Sequence, residues 1–462
     1  MKPNFKHKFC YGIGNLGYSV VSQTITNFFM FFGTSVLKIS GTLIGVAIAI
    51  STVWDAVCDP VVGYVSDRKS FGLFGHRNGY ILVGTIGVCL CNLLIWFVPM
   101  NVKVWLKFLW VLVALVLNET FCSLYATPYG ALGGDLASDY NDRTVVQIIK
   151  TIFFILGMIL PSVLLQIFMP SSSEFSQGQL NPIGYRKMAI LCSVFMLLSG
   201  LVCVFGTLKF SKQNDQTSSN IKPEKFAFKK LFLGFANGLK NKQERIVVFG
   251  YSVSMISATF LTGVGMHFFT YCFGYNSFNI TILLVSLLVG MVLSQPVWYK
   301  VSLKEDKKPA LLIGVLVAIL GVVVIMFAYV FKDVLKGFSF YVIWFAIFVV
   351  GIGAGALYCL PTSMFLDVVG FMENKGESSQ ATSQSLLTFL SNMFNAGALL
   401  VIGVLLDLIG FNPDAGSQTR PVQTGIAIIL FLGVLISLIG AFVLFYNYKL
   451  KKKDFLDVKN KT

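Results

Sequence analysis

The sequence predicts an all-α, polytopic membrane protein with twelve transmembrane helices in two six-helix bundles. Three observations carry this expectation: the composition, a series of long apolar segments, and one long polar interval that divides them equally. Of 462 residues, 55% are hydrophobic and 12% charged, and the mean hydropathy is +0.75. Soluble domains carry about 25% charged residues, so no surface built from this chain would stay dissolved. Soluble enzymes, disordered proteins and collagen-like chains are excluded.

A helix needs about 20 residues to cross the hydrocarbon core. Twelve segments qualify in the first and second halves: 10–37, 41–66, 80–99, 104–131, 145–168 and 187–209, then 246–274, 279–299, 309–332, 338–362, 381–409 and 423–447. The basic stretch Met1 to Lys8 precedes an apolar run with no small-residue cleavage site, so it reads as the start of an uncleaved first span. The interval from Lys209 to Arg245, containing SKQNDQTSSNIKPEK, is the one credible linker. The expected organisation is a bundle over 1–209, a cytoplasmic linker over 210–245, a bundle over 246–447 and a basic tail over 448–462.

The formal charge is +15, but the lysines sit between apolar runs rather than along one face, which argues against a nucleic-acid partner. Of the 36 Lys and Arg residues, 27 fall on the side of the termini and linker and 8 on the other. Both termini are therefore expected in the cytoplasm, with the tail KLKKKDFLDVKNK as a topology anchor in a cell membrane. All nine cysteines fall in or beside apolar segments and read as small packing residues. Trp96, Trp105 and Trp110 read as interface anchors. GYVSDRKSFGLFGHR after span 2 and KVSLKEDKKPA after span 8 occupy equivalent places, so the halves echo each other. Two related six-span halves are typical of secondary transporters.

An ionisable side chain inside a span costs at least ~2.5 kcal/mol and asks for a function or a partner. Asp55 and Asp59 in WDAVCDPVVG share one helix face, and Pro60 frees backbone carbonyls one turn back. That oxygen set suits a hard monovalent cation or a proton; the other reading is pairing with a basic residue, or a wet helix end. Glu119 is either functional or on a wet cavity wall. Lys150 is either a snorkelling anchor or a donor facing a cavity. Tyr18, Tyr125 and Tyr129 sit beside small or polar residues, so they either line a cavity or pack helices.

Four stretches carry a resemblance: YGIGNLGYS in span 1, WDAVCDPVVGYVSDR in span 2, TPYGALGGDLASDYNDRT after span 4 and GIGAGALYCLPTSMFLDVV in span 10. They resemble the glycoside–pentoside–hexuronide:cation symporters of the major facilitator superfamily, over the whole chain and in order. The resemblance implies a cation site at Asp55 and Asp59, with the family's intervening asparagine replaced by Cys58 and its span 4 hydroxyl matched by Ser123. A thiol is a poor ligand for a hard cation, so the coupling ion is Na+ or H+, and no further cofactor is expected. The family's sugar-binding aspartates are matched by Ser19 and Ala126, its span 5 arginine by Lys150 and its span 11 lysine by Asn392. The solute site is therefore rebuilt, with Tyr18, Tyr125 and Tyr129 beside it. Asp67, Arg68 and Arg77 resemble the superfamily's gating motif, and Asp135, Asp142, Arg143 and Asp367 are expected to make contacts between the bundles.

The resulting expectation is cation-coupled symport of a sugar, glycoside or uronide by alternating access. The chain is expected to act as a monomer in a lipid bilayer on a small-molecule solute. The alternative keeps the fold and carries a non-sugar solute such as an amphiphilic lipid or an organic acid. A magnesium-dependent prenyl-diphosphate enzyme would need a second aspartate cluster, and no second DxxxD occurs within a span. No enzyme is expected.

Overall fold

The computed structural model describes residues 4–66, 74–136, 140–173, 175–218, 228–373, 380–415 and 417–450. These residues divide into two units, Met1–Phe226 with Asn276–Phe278 and Pro413–Gly416, and Ala227–Tyr275 with Asn279–Asn412 and Ser417–Thr462. The first unit contains α1 (Phe5–Phe31), α2 (Gly41–Ser66), α3 (Gly75–Trp96), α4 (Val104–Asp135), α5 (Tyr140–Phe168) and α6 (Pro182–Ser218). The second contains α7 (Phe228–Lys240), α8 (Lys242–His267), α9 (Ser277–Leu293), α10 (Gln295–Glu305) and α11 (Lys307–Val330). It continues through the short α12 (Lys332–Leu335) to α13 (Ser339–Glu373), α14 (Gln380–Leu408) and α15 (Arg420–Tyr446). Among the described residues, eleven helical segments are long and apolar enough to cross a membrane. The more polar α1, 27 residues long, completes a set of twelve. The protein is an all-α polytopic membrane protein.

Each unit is built on the same pairing. In the first, α1 packs on α5 and α6, and α3 packs on α4 and α6. In the second, α8 packs on α14 and α15, and α11 packs on α13 and α15. The echo reaches single turns. Both α1 and α8 run into a π-helical turn, Phe32–Val36 and Phe268–Cys272. Each is closed by a backbone bond across six residues, Ile39 N to Gly33 O at 3.1 Å and Tyr275 N to Phe269 O at 3.0 Å. The chain then passes through one left-handed residue, Lys38 at φ 59° or Gly274 at φ 69°. A side chain in that region costs roughly 1–2 kcal/mol, which Gly274 avoids and Lys38 bears.

One expectation changes, and the linker gains detail. The described residues of the expected linker are largely helical: α6 continues to Ser218, and α7 and the start of α8 follow. In α7, FKKLFLGFANGLK spaces its apolar positions at helical intervals, and Phe235 is buried with its ring 5.5 Å from that of Phe389 on α14. Trp96 is not an interface anchor. It is fully buried, its indole N–H donates to Asn92 Oδ1 at 3.1 Å, and its ring lies 5.4 Å from that of Tyr185. A buried indole needs such an acceptor, and Asn92 supplies it. Trp105 and Trp110 are exposed on α4, where the anchor reading fits. All nine cysteines are free thiols.

Candidate functional site

In the first unit, a pair of rungs links α2 to α4. Ser123 Oγ donates to Asp55 Oδ1 at 3.1 Å, and one turn on, Thr127 Oγ1 donates to Asp59 Oδ1 at 3.3 Å. The carboxylates and the hydroxyls are each spaced i,i+4, so the two helices present them in register. Ser123 also reaches Asp59. A proline follows each second rung, Pro60 on α2 and Pro128 on α4, both inside the helix. Each ring removes one ladder donor and leaves the carbonyl four residues back, that of Ala56 or Leu124, without its usual partner. Carboxylates, hydroxyls and freed carbonyls form a hard oxygen set.

Around the rungs, Cys58 is buried and its thiol meets the Thr120 hydroxyl. Thr120 Oγ1 also accepts from the Trp54 indole N–H at 2.8 Å. Cys58 therefore belongs to the α2–α4 packing next to the cluster. Thr127, absent from the sequence reading, supplies a neutral oxygen beside Asp59. The signal for it was its i+4 relation to Ser123, matching that of Asp59 to Asp55. Glu119 lies in the field of Asp55 and, more weakly, of Asp59, and the Asn118 side chain bonds to it. Among the described residues, no group of three or more His, Cys, Asp and Glu is arranged to hold a metal ion.

The residues assigned to solute contact fall into two groups. Ser19 is fully buried and donates to Phe154 O at 2.9 Å. Tyr125 donates to Gly14 O at 2.7 Å and Tyr129 to Tyr11 O at 2.9 Å, both buried. Tyr125 is locked by close backbone: a Cβ on Gly14 would stand 2.8 Å from its hydroxyl, and one on Gly84 2.6 Å from its amide nitrogen. Small neighbours here mean tight helix packing, so these three hydroxyls are committed to backbone carbonyls rather than offered to a solute. Tyr18, Ala126, Lys150 and Asn392 are only half-buried. The ring of Tyr18 stacks on that of Tyr125 at 5.5 Å, within the field of Asp55, Glu119 and Asp59. The Lys150 ammonium lies 5.5 Å from the centre of the Tyr129 ring. Asn392 is on α14, in the second unit.

Among the gating candidates, Asp67 and Arg68 lie outside the described residues. Asp135, Asp142 and Arg143 fall on α4 and α5, but their side chains are also outside what is described. Arg77 is half-buried in the first turn of α3. Asp367 pairs with Lys307 at the start of α11, so its carboxylate is engaged inside its own unit.

Two repeated helical units, one holding paired carboxylates under hydroxyls inside its spans, fit the cation-coupled symporter class of transporter. The chain belongs to the family described as MFS/sugar transport protein, whose profile matches residues 10–452. It is 23% identical to sodium-dependent lysophosphatidylcholine symporter 1-B of Danio rerio, over 96% of this chain and 87% of that one. It is 24% identical to the uncharacterized symporter YjmB of Bacillus subtilis, over 97% of this chain and 93% of that protein. The fold is shared with the nucleoside transporter NupG, with a TM-score of 0.63 at 16% identity, covering 96% of this chain and 100% of that one.

Proposed function

We propose that this chain is a sodium-coupled symporter of a lysophospholipid-like amphiphile, with sodium held between Asp55 and Asp59. The observation that carries it is the pair of rungs: Ser123 and Thr127 place hydroxyl oxygens on both carboxylates, and rotation of each hydroxyl proton would turn those oxygens toward a cation. This offsets the amide oxygen that Cys58 lacks. A relative named as a sodium-dependent symporter supports the choice of ion.

For the solute, the two positions matching sugar-binding aspartates are Ser19, which is spent on α5, and Ala126, which has no polar group. An amphiphile needs few headgroup contacts and gains the rest from apolar burial. Lys150 supplies donors for phosphate or other acceptor oxygens. Glu119 and the ring of Tyr18 suit an ammonium group. The lysine and arginine distribution supports a cytoplasmic position for both termini and the α6–α8 connection.

A second reading, a glycoside or uronide, is favoured by the motifs shared with the glycoside–pentoside–hexuronide:cation symporters and by the family's description. Uptake into proteoliposomes separates the two. Sugars, glycosides, organic acids and lysophosphatidylcholine are offered under sodium and proton gradients imposed separately. Sodium-driven accumulation of lysophosphatidylcholine is expected, and accumulation confined to a glycoside or uronide would overturn the amphiphile reading.

A further inference from the structure

Four tyrosine rings form one stack inside the first unit. Tyr18 and Tyr125 stand 5.5 Å apart at 13°, Tyr125 and Tyr129 5.4 Å apart at 16°, and Tyr129 and Tyr11 4.4 Å apart at 11°. Two belong to α1 and two to α4, so the stack is a helix-to-helix splint. Two hydroxyl bonds from α4 to the backbone of α1 run alongside it. At one end Tyr18 sits in the field of the three carboxylates. Toward the other, the Lys150 ammonium of α5 rests against the Tyr129 ring.

Among the described residues, no carboxylate pairs with Lys150 and no acceptor takes a hydrogen bond from its ammonium. Its backbone is fixed instead, because Asn15 Nδ2 of α1 donates to Lys150 O at 3.1 Å. An ammonium on a ring face is held by the ring quadrupole, yet keeps its three N–H donors. A carboxylate partner would hold it more tightly and use those donors up.

We infer that Tyr129 is a positioning residue for Lys150, and that α4, which carries Tyr129 and the hydroxyls bonded to Asp55 and Asp59, ties Lys150 to the carboxylate pair. Tyr129 acts through its ring face and not through its hydroxyl. The hydroxyl serves α1–α4 packing. The role given to Lys150 in holding solute rests on the proposed function; its placement by the Tyr129 ring does not.

The test uses the full-length purified protein with Tyr129→Phe, which keeps the ring, and Tyr129→Leu, which removes it. The first readout is labelling of Lys150 by an amine-reactive succinimidyl ester, followed by peptide mass spectrometry. Tyr129→Phe should label at the parental rate and Tyr129→Leu at a rate changed several-fold. The second readout is equilibrium binding of lysophosphatidylcholine. Tyr129→Leu should weaken it about three- to thirty-fold, with no further loss in the Lys150→Ala background and with sodium affinity unchanged. Equal labelling of parent, Phe and Leu variants would overturn the inference. So would a loss that persists in the Lys150→Ala background, because the ring would then act on folding rather than on Lys150. If labelling changes as expected but lysophosphatidylcholine neither protects Lys150 nor binds, the positioning stands and the solute assignment fails.

Discussion

The two units share a helix pairing, a π-turn and a left-handed residue, yet they differ in what lies inside their spans. The first carries Asp55, Asp59, Glu119 and Lys150 well within α2, α4 and α5. Among the described residues of the second, the carboxylates and bases of the long helices lie toward their ends, as with Glu244, Asp367, Asp407 and Arg420. Its interior polar contacts are neutral, such as Thr259 Oγ1 to Asn395 Oδ1 at 2.9 Å. His267, at the end of α8, is fully buried with its ring 5.4 Å from that of Phe411. Among the described residues, the ionisable groups set away from the helix ends thus belong to the first unit, while the fully buried Glu244 of the second lies in the first turn of α8. An ionisable group inside the membrane carries a cost, and the proposed cation site gives the first unit a reason to bear it.

Substitutions should break this asymmetry in a graded order. The largest effect is expected from Asp55→Cys and Asp59→Cys. Each should abolish sodium-driven accumulation in proteoliposomes while leaving measurable downhill exchange, since one carboxylate cannot hold the shared cation. Next, Lys150→Ala removes a charged donor worth ~1.5–3 kcal/mol. Equilibrium binding of lysophosphatidylcholine should weaken by about ten- to hundred-fold, with membrane insertion intact. Thr127→Val deletes one rung and should lower sodium affinity by about ten-fold, read as a shift in the sodium dependence of uptake. The smallest effect belongs to the second unit. Thr259→Val should change solute affinity by no more than about three-fold and leave the sodium dependence alone. A sodium dependence that moved as much with Thr259→Val as with Thr127→Val would overturn the assignment of the cation site to the first unit.

The gross fold was legible because hydropathy over 20 residues is a strong signal and the lysine-rich interval stood between two equal sets. The paired aspartates were legible because a carboxylate in WDAVCDPVVG has no cheap explanation. What escaped had a common physical origin: sequence shows neighbours along the chain, whereas these features depend on neighbours across helices. Trp96 reads identically as an anchor or as a core residue until Asn92 and Tyr185 are seen beside it. The glycines around Tyr125 are compatible with an open cavity or with close backbone approach, and here the approach is close. Thr127, in TPYG, drew no notice in the sequence, although its spacing from Ser123 repeats that of the aspartates. The helical character of α7 was masked by the polar stretch that precedes it.

Sodium binding to the purified protein can be measured without any assumption about the solute. Titration calorimetry should find a saturable sodium site in the parent. It should be lost in Asp55→Cys and in Asp59→Cys, weakened in Thr127→Val and retained in Lys150→Ala. Undiminished sodium binding in both aspartate variants, or no sodium binding in the parent, would contradict a sodium site at Asp55 and Asp59.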